Sequence, residues 1–299
     1  MSFLSIRMVG TAILTAVVVA ATACGSSGSS GPPPSNVGAS PNIAVPPSLS
    51  EAGVLNIAAF LQFPPYRFLD GAGRPQGVEV ELANAVAGKL GVKAQFQNVA
   101  FDTIIPGVSN HRYDFSLGTF YDVPARTEQV DILDWIEVTS RMVVQSGNPR
   151  AVDPTDPCGL SIGGSVGGYQ IEQINQISAN CEKAGKPPTT QMVLQDFSAA
   201  LQALRSGRVD AVLADAGPGD YFAKQSNDTL EVLTQDIPGI EKVAAGWAFA
   251  KDSGPVRQAV VAAIKELIAE GTWTEILDRS NLADLAVNPP SINRQPVGE

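Results

Sequence analysis

Two stretches of this chain carry one pattern. "FDTIIPGVSNHRYD" covers 101–114 and "FSAALQALRSGRVD" covers 197–210. Phe101 aligns with Phe197, Arg112 with Arg208, and Asp114 with Asp210. Each stretch leads into a short apolar segment, "FSLG" or "AVLAD". The halves also open alike, with Gly53 before "VLNIAA" and Gly159 before "LSIGGS". This repeat predicts two related lobes rather than one continuous core. "EVELANAVAGKLGV" (79–92) has apolar residues at helical spacing and Gly91 where a helix stops. "KAQFQNV" alternates as a strand does. Strands alternating with helices predict an α/β fold with a largely parallel sheet. The aligned side chains themselves read as structural, the phenylalanines packing at helix starts and the aspartates serving as turn or cap residues.

In open α/β sheets, ligands bind beyond the carboxyl ends of strands. The residues just past the equivalent strands are Gly118, Thr119, Phe120 and Tyr121 in one half and Asp215 in the other. If the lobes face each other, the first half supplies Arg126 and the second Asp215. A cation and an anion facing one pocket suit a zwitterion.

The beginning of the chain bears on compartment. Arg7 is the only charge before Cys24, and an apolar run from Met8 to Ala20 follows it. The run is short for a transmembrane span and reads as a secretory leader over 1–23, with an uncleaved anchor as the alternative. Ala21-Thr22-Ala23-Cys24 resembles a bacterial lipobox, which would make Cys24 the lipidated first residue of the mature protein. Lipidation of Cys24 leaves Cys158 and Cys181, which can pair in an oxidising compartment. Two thiols and the one histidine, His111, are too few ligands for zinc, and no metal site or cofactor is expected. Residues 24–50 hold a Gly/Ser/Pro-rich segment that reads as a flexible tether. The 299 residues are 44% hydrophobic, enough for two domains. The net charge of −10 comes without a Lys/Arg-rich patch, which excludes a nucleic-acid partner.

With these residues in order, the chain resembles the family 3 extracellular solute-binding proteins, the polar amino-acid receptors of bacterial ABC importers. "FPPYRF" (63–68), "FDTIIPGV", "RYDFSLG", "ARTEQVDILDW", "GRVDAVLADAGPGDYFAKQ" and "AVVAAIKELIAEGTWTEILDR" carry the likeness from about Val54 to Leu282. The resemblance implies a type II periplasmic-binding-protein fold: two hinge-connected α/β lobes with a ligand cleft between them. Lobe 1 takes 51–137 plus 246–299 and lobe 2 takes 138–245. It implies that Arg126 binds the ligand α-carboxylate, that the Gly118 backbone contacts ligand, and that Asp215 meets the α-ammonium. Gly167 and Gly168 match a Gly-Thr pair whose backbone N–H groups meet the carboxylate at a helix start. Phe63 and Phe101 match aromatic positions that sandwich the ligand side chain. The pair Cys158 and Cys181 resembles a disulfide variant of secreted actinobacterial members.

Three positions depart from the family pattern. Tyr121 stands where a threonine is common. Gly168 lacks the threonine hydroxyl. Phe60 replaces an acidic residue that in several receptors holds basic side chains. With Phe60, Phe63, Phe101, Phe120 and Tyr121 near one another, the pocket is expected to be aromatic, which weakens a lysine- or arginine-type ligand and leaves room for a compact zwitterion or compatible solute. The expected partners are a small zwitterionic ligand, a membrane ABC permease and the outer face of the cell membrane, with the protein a lipid-anchored monomer. A ligand sensor acting on a membrane kinase is the alternative. Some enzymes share this fold, a cyclohexadienyl dehydratase among them, and such a site needs a cleft carboxylic acid. Glu137 is the candidate proton donor; otherwise no catalytic set is expected.

Overall fold

The computed structural model describes Gly38, Ser40 and residues 43–296. The leader, Cys24 and the tether up to residue 37 lie outside the described residues. The chain opens with β1 (Val54–Ala59), β2 (Gln62–Phe63), β3 (Arg67–Leu69), β4 (Pro75–Gln76), α1 (Val78–Leu90) and β5 (Lys93–Asn98). It continues through α2 (Ile104–Ser109), β6 (Phe115–Tyr121), α3 (Pro124–Thr127) and β7 (Val130–Val138). Then come β8 (Ser140–Gln145), β9 (Ser161–Ser165), α4 (Gln170–Lys183), β10 (Thr190–Leu194), α5 (Phe197–Arg205), β11 (Ala211–Asp215), α6 (Ala216–Lys224) and β12 (Leu230–Leu233). The last elements are β13 (Val243–Ala250), α7 (Gly254–Ala269), α8 (Thr272–Arg279), β14 (Ala286–Ile292) and β15 (Gln295–Pro296).

These strands form a seven-stranded sheet in the order β15-β14-β7-β13-β6-β1-β5 and a five-stranded sheet in the order β10-β9-β11-β8-β12. A small flap, β2-β3-β4, accompanies the larger sheet. Each sheet is the centre of one α/β lobe. The sheets are mixed rather than largely parallel. β1 runs parallel to β5 and β6, but β13 is antiparallel to both β6 and β7. In the smaller sheet, β9 is parallel to β10 and β11, while β8 is antiparallel to β11. The crossover explains this. β7 carries the chain out of the large sheet toward β8, and β13 brings it back, so these neighbours must run in opposite directions.

The large sheet is covered on both faces. Alternate strand residues point to opposite sides. Leu55, Ile57, Leu117, Leu133 and Trp135 join α1, α7 and α8 on one side. Ala58, Phe120, Val130 and Ile132 join α2 on the other. This double burial accounts for β6, all of whose residues are buried, the polar Ser116 and Thr119 included. Each such leucine or isoleucine contributes about 1.5–3 kcal/mol. Helix α1 ends at Gly91, whose φ of 67° is the left-handed cap conformation that glycine adopts without strain.

The repeated aspartates do more than close a turn. The Asp114 carboxylate accepts from the backbone N–H of Asn56 in β1 (2.7 Å) and of Ser50 (2.8 Å). Asp210 accepts from Ser161 N–H in β9 (2.9 Å). In each lobe the repeat thus clips its own strand to a parallel neighbour, β1 in lobe 1 and β9 in lobe 2. Lobe 2 is further joined by a Cys158–Cys181 disulfide. A loop of this length is worth about 3 kcal/mol in the chain-entropy model. The end of the expected tether is also part of the body: Ile43 and Leu49 pack against the core of lobe 1. Their apolar side chains find a surface there that the Gly/Ser/Pro composition did not suggest. Among the described residues, no helix is long and apolar enough to cross a membrane.

Candidate functional site

The carboxyl ends of β6 and β11 meet at a cavity of about 430 Å³ between the two sheets. Arg126 enters it from lobe 1. Its helix, α3, is one turn long and starts with Pro124, whose fixed φ suits a first helical position. Arg126 as a whole is 9% exposed. Nη2 donates to the Gly167 carbonyl of lobe 2 (3.1 Å), while Nη1 is buried without a hydrogen-bond partner among the described residues. Three rings surround the charge, with Phe120, Tyr169 and Tyr121 centred 5.6, 5.9 and 6.0 Å from Cζ. Burial lowers the Arg126 pKa to about 10, so it stays protonated at neutral pH. A buried cation with an unpaired donor is costly on its own and strongly favours an anion beside it.

Asp215 ends β11 and is 3% exposed. Its Oδ1 accepts from Tyr121 Oη and Gln170 Nε2, both at 2.6 Å, and its Oδ2 from Thr119 Oγ1 at 3.3 Å. Burial pushes its pKa up, and the bonds from Tyr121 and Thr119 oppose that shift. Tyr121 and Thr119 belong to lobe 1, so the lobes are already bridged here as well as at Gly167. Burial, aided by the Asp215 charge, also drives the Tyr121 phenol well above its ordinary range, so it stays a donor.

Of the residues singled out from sequence, Phe63, Phe101, Tyr121, Arg126, Gly168 and Asp215 line this cavity, and Phe60 joins them. Gly118, Phe120 and Gly167 do not line it. Gly118 N–H donates to Glu79 Oε1 (3.0 Å), so that donor is turned into lobe 1 rather than toward a ligand. Gly118 is also required for packing, because a Cβ there would run into the Phe120 ring. Phe120 is fully buried and stacks behind Phe101, with centroids 4.9 Å apart. Gly167 offers its carbonyl to Arg126, and Gly168 N–H donates to the Ser165 carbonyl (3.0 Å) within its own turn. The turn expected to supply N–H donors therefore also grips Arg126. Glu137 is exposed on β7 and lies outside the cavity. His111 is exposed too, with its Nε2 2.9 Å from Asp252 Oδ1.

Sequence reasoning missed several wall residues. Phe197 lines the cavity from lobe 2, 6.3 Å from Phe63 across the gap. The repeat had aligned it with Phe101, and that alignment was the available signal. Thr119 lay within the stretch already marked. Arg67 stood inside "FPPYRF". Tyr169 and Gln170 had no signal beyond following Gly168.

Residues 55–158 match the family model of bacterial extracellular solute-binding proteins, family 3. The arginine-binding protein ArgT of Corynebacterium glutamicum is 30% identical over 258 residues, covering 85% of this chain and 82% of that protein. The L-cystine-binding protein TcyJ of Escherichia coli is 25% identical over 239 residues, covering 79% and 86%. A solved ancestral arginine-binding protein bound to arginine is 30% identical with a TM-score of 0.66, covering 76% of this chain and 97% of that one. One bound to glutamine is 28% identical with a TM-score of 0.67, covering 77% and 98%.

Proposed function

Because the chain belongs to the bacterial extracellular solute-binding proteins of family 3, we propose that it is the receptor of an ABC importer that binds an amino-acid zwitterion between its lobes. One observation carries the reading: lobe 1 presents Arg126 with an unpaired buried N–H, and lobe 2 presents the Asp215 carboxylate to the same cavity. The α-carboxylate docks on Arg126, whose planar fork suits it. The α-ammonium lies against Asp215 and Thr119. Phe60, Phe63, Phe101 and Phe197 wall the cavity and bury the ligand side chain.

Ligand meets lobe 1 first, and closure of lobe 2 completes the contacts. A permease reads that closure, since the ligand stabilises the closed population only through its extra contacts there. In this reading Cys24 is lipidated and holds the receptor at the outer face of the membrane. The relatives named for arginine and cystine set the first compounds to try, with L-glutamine as a neutral case. Phe60 argues against a side chain that needs a carboxylate at that point.

The test is a thermal-shift screen over free amino acids and compatible solutes, followed by calorimetry on Arg126→Ala. A ligand at 100 times its Kd adds about 2.7 kcal/mol to stability. The variant is expected to keep its fold and to bind at least about tenfold more weakly, because a buried charged contact carries about 2–5 kcal/mol. Unchanged affinity would remove Arg126 from the site.

A further inference from the structure

Helix α6 begins Ala216-Gly217-Pro218-Gly219, directly after Asp215. Glycine suits a helix poorly, because it gives up more backbone freedom there than alanine does. Gly217 has no left-handed φ that would call for glycine; it lies in regular helix. The reason for it stands in lobe 1. A Cβ on Gly217 would lie 2.7 Å from Tyr66 Oη and 3.2 Å from Tyr66 Cζ. Gly219 differs. The nearest neighbours of a Cβ there are Val143, Val232 and Ala214 of its own lobe, the closest at 3.4 Å.

Tyr66 has no room to retreat. It lies between β2 and β3 and is 1% exposed. Its N–H donates to the Phe63 carbonyl (3.1 Å), and its carbonyl accepts from Glu79 N–H (2.9 Å). The next residue, Arg67, is held in a buried ion pair with Glu79 (2.5 Å). Trp135 meets the Tyr66 ring edge-on, with centroids 6.3 Å apart, and the Phe63 ring lies 6.0 Å away. One turn further along α6, Tyr221 meets Phe68 of lobe 1, with centroids 6.4 Å apart. Residues four apart share a helix face, so Gly217 and Tyr221 form the side of α6 that rests on lobe 1. This contact sets a depth. Asp215 is the N-cap of α6, and it reaches Tyr121 Oη at 2.6 Å and Thr119 Oγ1 at 3.3 Å. A methyl group at 217 would lift the start of α6 off Tyr66 and draw Asp215 away from both.

We propose that Gly217 is a positioning residue: its missing side chain lets Tyr66 seat the start of α6 at the depth where Asp215 enters the cleft. The proposal rests on the reading that the lobes close on one another, but its test needs no ligand. Phe68→Cys with Tyr221→Cys puts one thiol on each lobe, and Cys24→Ser removes the one cysteine outside the disulfide. Bismaleimidoethane then traps the closed cleft, so the rate of cross-linking reads the closed population.

Gly217→Ala is expected to slow cross-linking about tenfold, the effect on an equilibrium of overfilling a fitted contact. Gly219→Ala, on the same helix, is expected to leave the rate unchanged. Tyr66→Phe removes the nearest atom and is expected to recover part of the rate in Gly217→Ala. The unfolding midpoint of Gly217→Ala should match or exceed that of the parent protein, because alanine suits the helix better. An unchanged rate in Gly217→Ala overturns the proposal, and so does an equal slowing in Gly219→Ala. A lowered unfolding midpoint in Gly217→Ala would mark damage within lobe 2 and overturn it too. Failure of the amino-acid screen would overturn the proposed ligand and leave the cross-linking result standing.

Discussion

The two lobes share one structural unit but bring opposite charges to the cleft in different states. Lobe 1 presents Arg126 with a donor unfilled, on a one-turn helix. Lobe 2 presents Asp215 with three donors already on it, two of them from lobe 1. The unfilled group is the one that gains most from a ligand, and under the proposed function docking begins there, on lobe 1. The filled group gains less, but its bonds to Tyr121 and Thr119 join the lobes. The lobes differ in support as well. Lobe 1 relies on a larger two-faced core around Trp135 and Trp247, while lobe 2 adds a disulfide to smaller clusters.

That difference can be tested in order of size. Trp247→Ala should cost about 3–5 kcal/mol, because it opens a large cavity in lobe 1 and leaves Glu79 without one of its donors. Denaturant unfolding would show a lowered midpoint, with lobe 1 amides losing protection first. Removing the disulfide with Cys158→Ser and Cys181→Ser should cost about 3 kcal/mol. Hydrogen exchange should then rise in α4 and β9 and stay near wild type in β1 and β6; a uniform rise would mean that the lobes do not differ in this way.

The strand clips give a smaller contrast. Asp114→Asn should cost about 2 kcal/mol and Asp210→Asn about 1, because Asp114 accepts from two backbone N–H groups and the Ser50 hydroxyl, while Asp210 accepts from one backbone N–H. Equal losses would show that the clips contribute alike.

A further contrast depends on pH and belongs to lobe 1. Asp134 is fully buried beside Asp122, and Ser291 Oγ and Arg294 N–H both donate to it from the C-terminal hairpin (2.9 Å each). Burial raises its pKa from 3.8 to about 7, with the Asp122 charge adding to the shift. Burial raises Asp122 as well, against the pull of Arg294. A native pKa above the unfolded one means that the folded state holds its proton more tightly. The stabilisation is therefore complete below pH 3.8 and lost as pH rises through about 7. Across that window the unfolding midpoint of wild type should fall relative to Asp134→Asn. Parallel curves for the two proteins would show that the buried pair does not titrate there.

Much of the architecture was legible because it is written twice. The spacing of Phe101 and Phe197, and of Asp114 and Asp210, announced two lobes, and the strand ends after each unit marked Arg126 and Asp215. Less legible were the groups that face the cleft only because distant segments meet. Arg67 and Glu79 lie 12 residues apart on different elements, and neither pattern nor spacing pairs them. Phe120 looked like a pocket residue because it adjoins Tyr121, but alternation along β6 sends it into the core behind Phe101. Gly118 was marked for its backbone and Gly168 for its N–H, and the N–H of each has an internal acceptor.

The sequence by itself determined the elements, the repeat and the chemical type of each lobe's contribution, since these depend on local periodicity and on side chains at strand ends. Tertiary structure alone decided which donors remained available. Hydrogen bonding is settled by whatever lies within about 3 Å in space. Glu79 claims the Gly118 N–H from 39 residues away, Gly167 of lobe 2 claims one edge of Arg126, and Tyr121 reaches Asp215 from the opposite lobe.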